Sequence, residues 1–257
     1  MSAPATFRAG APLAARWLRR ENVLLAFVAG YVDTLGFVAL FGLFVAHVTG
    51  NFILVGAGIA GAGGGVLIKL LAFPAFVTGI VAARWTARRG AGGTGNLAGA
   101  SDALYALQVA LLAAFMIAGL IAAPIASIDA PLAAACGLLG AAGMGVQNAH
   151  AKLSTRSIAA NTVMTGNVTQ AVLDACDWLA PGSAPEARRA ARERLAKMLP
   201  PVLAFALGAG GGALGWRAAS FWALLLPLGL LVMLGCASWH AARAAAAGPA
   251  TAAGAAP

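Results

Sequence analysis

Charge is what this sequence has least of. Only 10% of its 257 residues are Asp, Glu, Lys or Arg, against about 25% in a soluble globular domain. So few charges cannot clothe a water-facing surface, and a soluble enzyme is excluded. Cysteine is scarce as well. Cys136, Cys176 and Cys236 show no Cys-x-x-Cys spacing and have no His at ligand distance, so they read as small packing residues. Catalytic signatures are missing: there is no Gly-x-Ser-x-Gly and no His-Glu-x-x-His, and Gly92–Asn96 lacks the Lys that a phosphate-binding loop requires. No cofactor and no metal is implied.

What is present is apolar. Hydrophobic residues make up 61% of the chain, with a mean hydropathy of +0.84, gathered into stretches of about twenty residues, the length that spans a bilayer core as a helix. The 33 glycines suit closely packed membrane helices. The net charge of +9 flanks apolar segments, as in cytoplasmic loops. No basic groove or stacking platform accompanies it, which excludes nucleic acid. The partner implied is the lipid bilayer.

The apolar segments cover approximately 22–45, 49–62, 66–87, 103–126, 131–151, 165–180, 197–216 and 219–240. Six are long enough to cross. Two, starting at Thr49 and Thr165, hold only about fourteen to sixteen residues, the length of a re-entrant or half-spanning helix. The first segment is too long for a cleaved leader and follows Arg8, Arg16, Arg19 and Arg20, so it reads as an anchor with a cytoplasmic N-terminus. The chain divides into a basic cytoplasmic segment at 1–21 and membrane repeats at 22–126 and 131–240. The second repeat carries a basic cytoplasmic insertion at 181–197. The Ala-, Gly- and Pro-rich tail at 241–257 predicts disorder.

Three matches in order mark the repeat. Gly30-Tyr31-Val32-Asp33 aligns with Gly145-Val146-Gln147-Asn148 at an offset of 115, and Val48-Thr49-Gly50-Asn51 with Met164-Thr165-Gly166-Asn167 at 116. Lys69-Leu70-Leu71 aligns with Lys197-Met198-Leu199 at 128. Thr94-Gly95-Asn96 shows that one tripeptide alone carries little. If both short segments crossed fully, the basic run at Arg84–Arg89 would lie outside, against the positive-inside rule. If both return to their own side, every basic run faces the cytoplasm. Each repeat then has three crossings, so the second is inverted. The predicted fold is an all-α polytopic membrane protein of two inverted repeats, each with three spanning helices and one short broken or re-entrant helix.

The paired tripeptides Thr49-Gly50-Asn51 and Thr165-Gly166-Asn167 are the candidate substrate-binding residues. Thr and Asn cap interrupted helices, Gly permits close approach, and helix N-termini favour anionic groups. The carbonyls at Ala46–Val48 and Thr162–Met164 are placed to hold a cation; the alternative is that the motifs only satisfy the break. Asp33, ionisable within a span, is the candidate coupling residue, with packing through Thr34 as the alternative. His47, Asn148, Gln170 and Asp174 are candidates for lining the cavity, while His150 reads as part of a cytoplasmic helix end. Glu186–Lys197 predicts an exposed cytoplasmic helix with an Arg189/Glu193 pair. Ser101-Asp102 reads as a helix cap, and Lys69 as a snorkelling side chain.

Gly30–Asn51 (GYVDTLGFVALFGLFVAHVTGN) resembles the YoaK-like family of bacterial membrane proteins. Gly145–Ala149 and Thr162–Gly166 resemble that family's second signature. The resemblance implies an integral inner-membrane protein and carries no biochemical role. Repeat and topology lead instead to a secondary permease for a small solute, ion- or proton-coupled. The competing reading is a non-transporting scaffold or lipid-binding protein. Both termini are expected in the cytoplasm, and an oligomer is compatible with the sequence.

Overall fold

The computed structural model describes residues 11–90, 100–127, 129–154 and 164–247. Among the described residues the chain forms eight α-helices and no strand. They are α1 (Ala11–Ala39), α2 (Gly50–Ile59), α3 (Val66–Gly90), α4 (Ser101–Ala122), α5 (Pro131–Ser154), α6 (Met164–Leu179), α7 (Pro185–Ala219) and α8 (Leu225–Ala247). Five stretches are long and apolar enough to cross a membrane: Arg20–Ala39, Val66–Gly90, Ser101–Ala122, Pro131–Leu153 and Pro185–Arg243. The last runs through α7 and α8, which a 3-10 turn at Ser220–Leu224 separates. Leu203, Leu207, Leu214, Leu225 and Val232 point outward along it. Apolar surface on that scale belongs in lipid. The protein is an integral, multi-pass membrane protein.

Small residues set the packing. α1 packs chiefly on α7, α3 on α5, α4 on α5 and α8, and α6 on α7. At the α1–α7 crossing the backbones meet: a Cβ on Gly30 would overlap the carbonyl oxygen of Phe205, and one on Gly208 that of Phe27. One turn along, Gly212 stands in the same relation to Tyr31. Phe27 to Tyr31 thus advances with Gly208 to Gly212, so α1 and α7 run parallel. The α3–α5 crossing is built alike, with Gly145 against the Phe76 carbonyl and Gly79 against that of Ala142. Without a hydrophobic drive between helices in lipid, such close backbone approach supplies the van der Waals contact that holds them together.

The helices differ from the sequence expectation in instructive ways. α1 stops at Ala39, six residues before the apolar run ends, because Phe41 (φ 53°) and Gly42 (φ 83°) turn left-handed. The Gly42 amide donates to the Phe37 carbonyl at 2.8 Å and closes the helix end. Glu186–Lys197 is the first part of α7, which continues through Pro200 and Pro201. Its Arg189–Glu193 pair forms at 3.1 Å but is exposed, where it contributes little. Lys69 is buried and donates to the Gly64 carbonyl, in the loop before α3, at 2.6 Å. No side-chain cap bond forms at the start of α4, where Ala100 is the cap. Residues 241–247 continue α8 as helix; residues 1–10 and 248–257, and Thr94-Gly95-Asn96, lie outside the described residues.

Two glycines two positions apart on α7 test the crossing. Gly208→Ala is expected to lower stability by about 1–3 kcal/mol through overpacking. Gly210, with nothing within 4 Å of an added Cβ, is expected to accept Ala with a gain of up to about 1 kcal/mol in helix propensity. Unfolding midpoints of the two detergent-solubilised variants measure both.

Candidate functional site

Between α1 and α2 lies an irregular segment, Leu40–Thr49, whose Leu43, Val45, Ala46 and Val48 are buried. Backbone N–H and C=O groups in such a place must find partners within the protein. Two side chains supply them. Asp33, on the inner face of α1, accepts from the amides of Val45 (2.8 Å) and Ala46 (2.6 Å) through Oδ1, with the His47 amide at 3.4 Å. Asn51, in the first turn of α2, accepts from the Phe44 amide at 3.0 Å and donates to the Phe44 carbonyl at 2.8 Å. The break is held by a carboxylate on one flank and a carboxamide on the other.

The second carboxylate oxygen completes the site. Asp33 Oδ2 lies 2.7 Å from His47 Nδ1, a contact that becomes an ion pair when the ring is protonated. Asp33 is buried, whereas the His47 side chain is 30% exposed. The pair borders a cavity of about 560 Å³ whose walls include Asp33, Phe44, His47, Thr49 and Ile53, and Phe205 from α7. The His47 ring meets Phe205 edge-on at 5.4 Å and Phe44 at 6.3 Å.

The first tripeptide therefore acts differently from a capping motif. Thr49 precedes α2 but makes no side-chain cap bond; it is exposed and lines the cavity. A Cβ on Gly50 would stand 3.0 Å from the Phe44 ring, so glycine admits that ring. Asn51 does the bonding. The carbonyls expected to hold a cation are partly occupied, since His47 O accepts from Gly50 at 2.7 Å and Val48 O from Asn51 at 3.2 Å. Of their counterparts, Thr162 and Val163 lie outside the described residues.

At the start of α6 Thr165 and Gly166 are exposed, while Asn167 is buried beside Met164. None of the three borders the cavity at Asp33. Met164 packs with Ala26 and Ala204, and Phe205 lies against that cluster too, so both helix starts reach the α1–α7 pair. Gln170 and Asp174 tie α6 to α7: Asp174 Oδ1 accepts from Gln170 at 3.1 Å and from Arg194 Nε at 2.7 Å. Asp177 is exposed, 3.8 Å from Arg194. Asn148 is half-buried on α5. His150, near the end of α5, is fully buried, its ring edge-on to Tyr105 at 4.6 Å.

One polar group escaped sequence reasoning. Tyr105 donates to Glu21, Gln108 donates to Gln147 at 2.7 Å, and Gln147 donates to the Leu25 carbonyl at 2.8 Å, joining α1, α4 and α5. The available signal was Tyr105 and Gln108, three residues apart on an otherwise apolar helix.

The family model described as protein of unknown function (DUF1275) matches residues 22–237, and the chain belongs to that family. No curated protein and no solved structure matches it.

Asn51→Leu leaves both Phe44 backbone groups without their partner and is expected to cost about 2–4 kcal/mol. Thr49→Val, which removes no cap bond, is expected to stay within about 0.5 kcal/mol of the parent. Urea or dodecyl sulfate titration followed by helical circular dichroism checks the contrast.

Proposed function

We propose that this member of the DUF1275 family is a secondary permease of the inner membrane, built from two inverted repeats, with proton binding at the Asp33–His47 pair. The observation that carries the reading is an ionisable carboxylate–imidazole pair at a helix break, about 20 Å along α1 from Arg20, bordering a cavity. Ionisable groups inside a span are costly and mark solute or proton pathways. Asp33 is anchored by backbone amides, and the half-buried His47 is the more accessible partner, through which the proton exchanges.

Several observations support the repeat. Gly30 and Gly145 lie 115 residues apart, as do Phe27 and Ala142, while Phe76 and Phe205, like Gly79 and Gly208, lie 129 apart. The contacts at the two crossings are therefore made by corresponding residues. Parallel packing of α1 on α7 fits N-termini of both helices on one side. With α2 and α6 returning to the side they left, Arg20, Arg84–Arg89, Lys152, Arg188–Lys197 and Arg243 all face the cytoplasm, in keeping with the positive-inside rule. Both chain ends lie there as well. The likeness of Gly30–Asn51 to YoaK-like proteins agrees with this location.

A second reading, a non-transporting lipid-binding scaffold, draws on a different observation. An apolar groove of about 650 Å³ lies between α4 and α8, with Val109, Leu231 and Trp239 among its walls, and Asp33 already has structural work in bonding the loop.

Reconstituted vesicles separate the two. The permease reading predicts proton movement coupled to solute uptake, abolished in His47→Gln and retained in Cys236→Ser. Vesicles that pass no solute and no protons under any imposed gradient contradict it. Cysteines placed at 88 and 190 are expected to react with an impermeant reagent from the cytoplasmic face alone.

A further inference from the structure

The cavity at Asp33 has a charge preference that its walls determine. Its amide donors, which would otherwise attract an anion, are directed at Asp33 Oδ1 from Val45 and Ala46. Among the described residues the cavity's ionisable groups are Asp33 from α1 and His47 from the break; the break also contributes Thr49, α2 contributes Gly50, Ile53 and Leu54, and α7 contributes Phe205. Among the described residues no Lys or Arg borders it. With a neutral imidazole the site carries one negative charge, which amide dipoles stabilise but no full positive charge among the described lining residues balances, so an opposite charge is favoured. Phe44 and Phe205 add aromatic rings, whose faces attract cations.

From this charge balance, and resting on the permease reading, we propose that the cavity binds an organic monocation with an apolar body, in exchange for a proton on His47. Two species compete for one carboxylate. A proton on His47 completes the 2.7 Å ion pair with Asp33 Oδ2 and neutralises the site. A cation in the cavity neutralises it equally, and then the second positive charge is repelled. As the cation enters, the imidazolium gives one proton to water and returns to the neutral ring; as the cation leaves, the ring takes one back. Mutual exclusion at one site is the linkage on which proton/cation exchange rests. His47 has Val163 as its counterpart at the offset of 116, and Asp33 has Asn148, so the repeat supplies only one such site.

The test uses the full chain in lipid nanodiscs with benzyltrimethylammonium, whose charge does not titrate, and benzenesulfonate as an anion of similar shape. The expected result is calorimetric binding of the cation with release of one proton, read from buffers of different ionisation enthalpy. Affinity should rise with pH, because cation and proton exclude one another, and the anion should not bind. Asp33→Asn should abolish binding. Phe205→Ala, which leaves the Asp33 bonds in place, should weaken it about tenfold and decides the matter if Asp33→Asn does not fold. Equal binding of benzenesulfonate, or cation binding without proton release, overturns the proposal. Cation binding with proton release but no vesicle transport would remove the permease reading and leave this site standing. Proton-coupled uptake of another solute with no cation binding would do the reverse.

Discussion

A backbone that leaves its helix within apolar surroundings exposes amides and carbonyls that neither lipid nor neighbouring Leu and Val side chains can satisfy. Here the Asp33 carboxylate takes up that demand by accepting from Val45 and Ala46. The interaction works in both directions. Oriented amides stabilise a buried negative charge, and the charge stabilises a conformation that no regular hydrogen-bond ladder supports. Everything distinctive about the passage from α1 to α2 follows: the stop at Ala39, the buried turn, the restart at Gly50, and an imidazole held at the carboxylate's second oxygen.

That turn needs a rigid wall to lean on, and the glycine crossings provide it. Gly30, Gly208 and Gly212 let α1 and α7 touch through their backbones, which places Phe205 against the His47 ring. The same aromatic borders the cluster of Met164, Ala26 and Ala204 where α6 begins. Both interrupted elements thus converge on one helix pair, with Phe205 between them. α6 has a second tether in the buried Asp174, bonded to Arg194; removing one partner of such a pair is far more costly than the pair is stabilising.

Much of this architecture was legible in the sequence, because lipid imposes coarse rules. Segment lengths, the positions of basic runs and the shortness of the stretches after Thr49 and Thr165 located the described helices to within a few residues, apart from both ends of α1, both ends of α8 and the basic first turns of α7. Asp33, His47, Thr49 and Gly50 were singled out and do border one cavity. The division of labour among them was not legible. Whether Thr49 or Asn51 makes the bond depends on the left-handed turn at Phe41, a residue with no conformational signature of its own. Gln170 and Asp174 share a helix face, but only the tertiary position of Arg194 decides that this face meets α7. The Glu21, Tyr105, Gln108 and Gln147 connections span up to 122 positions in sequence and leave no local periodicity.

The central claim is that Asp33 holds the interrupted segment, and the amides it binds report on it most directly. Hydrogen exchange at Val45 and Ala46, followed residue by residue in lipid nanodiscs, should be slow in the parent and fast in Asp33→Ala, while amides in the middle of α4 remain slow in both. Exchange at Val45 and Ala46 that is already fast in the parent, or unchanged by the substitution, would contradict the account.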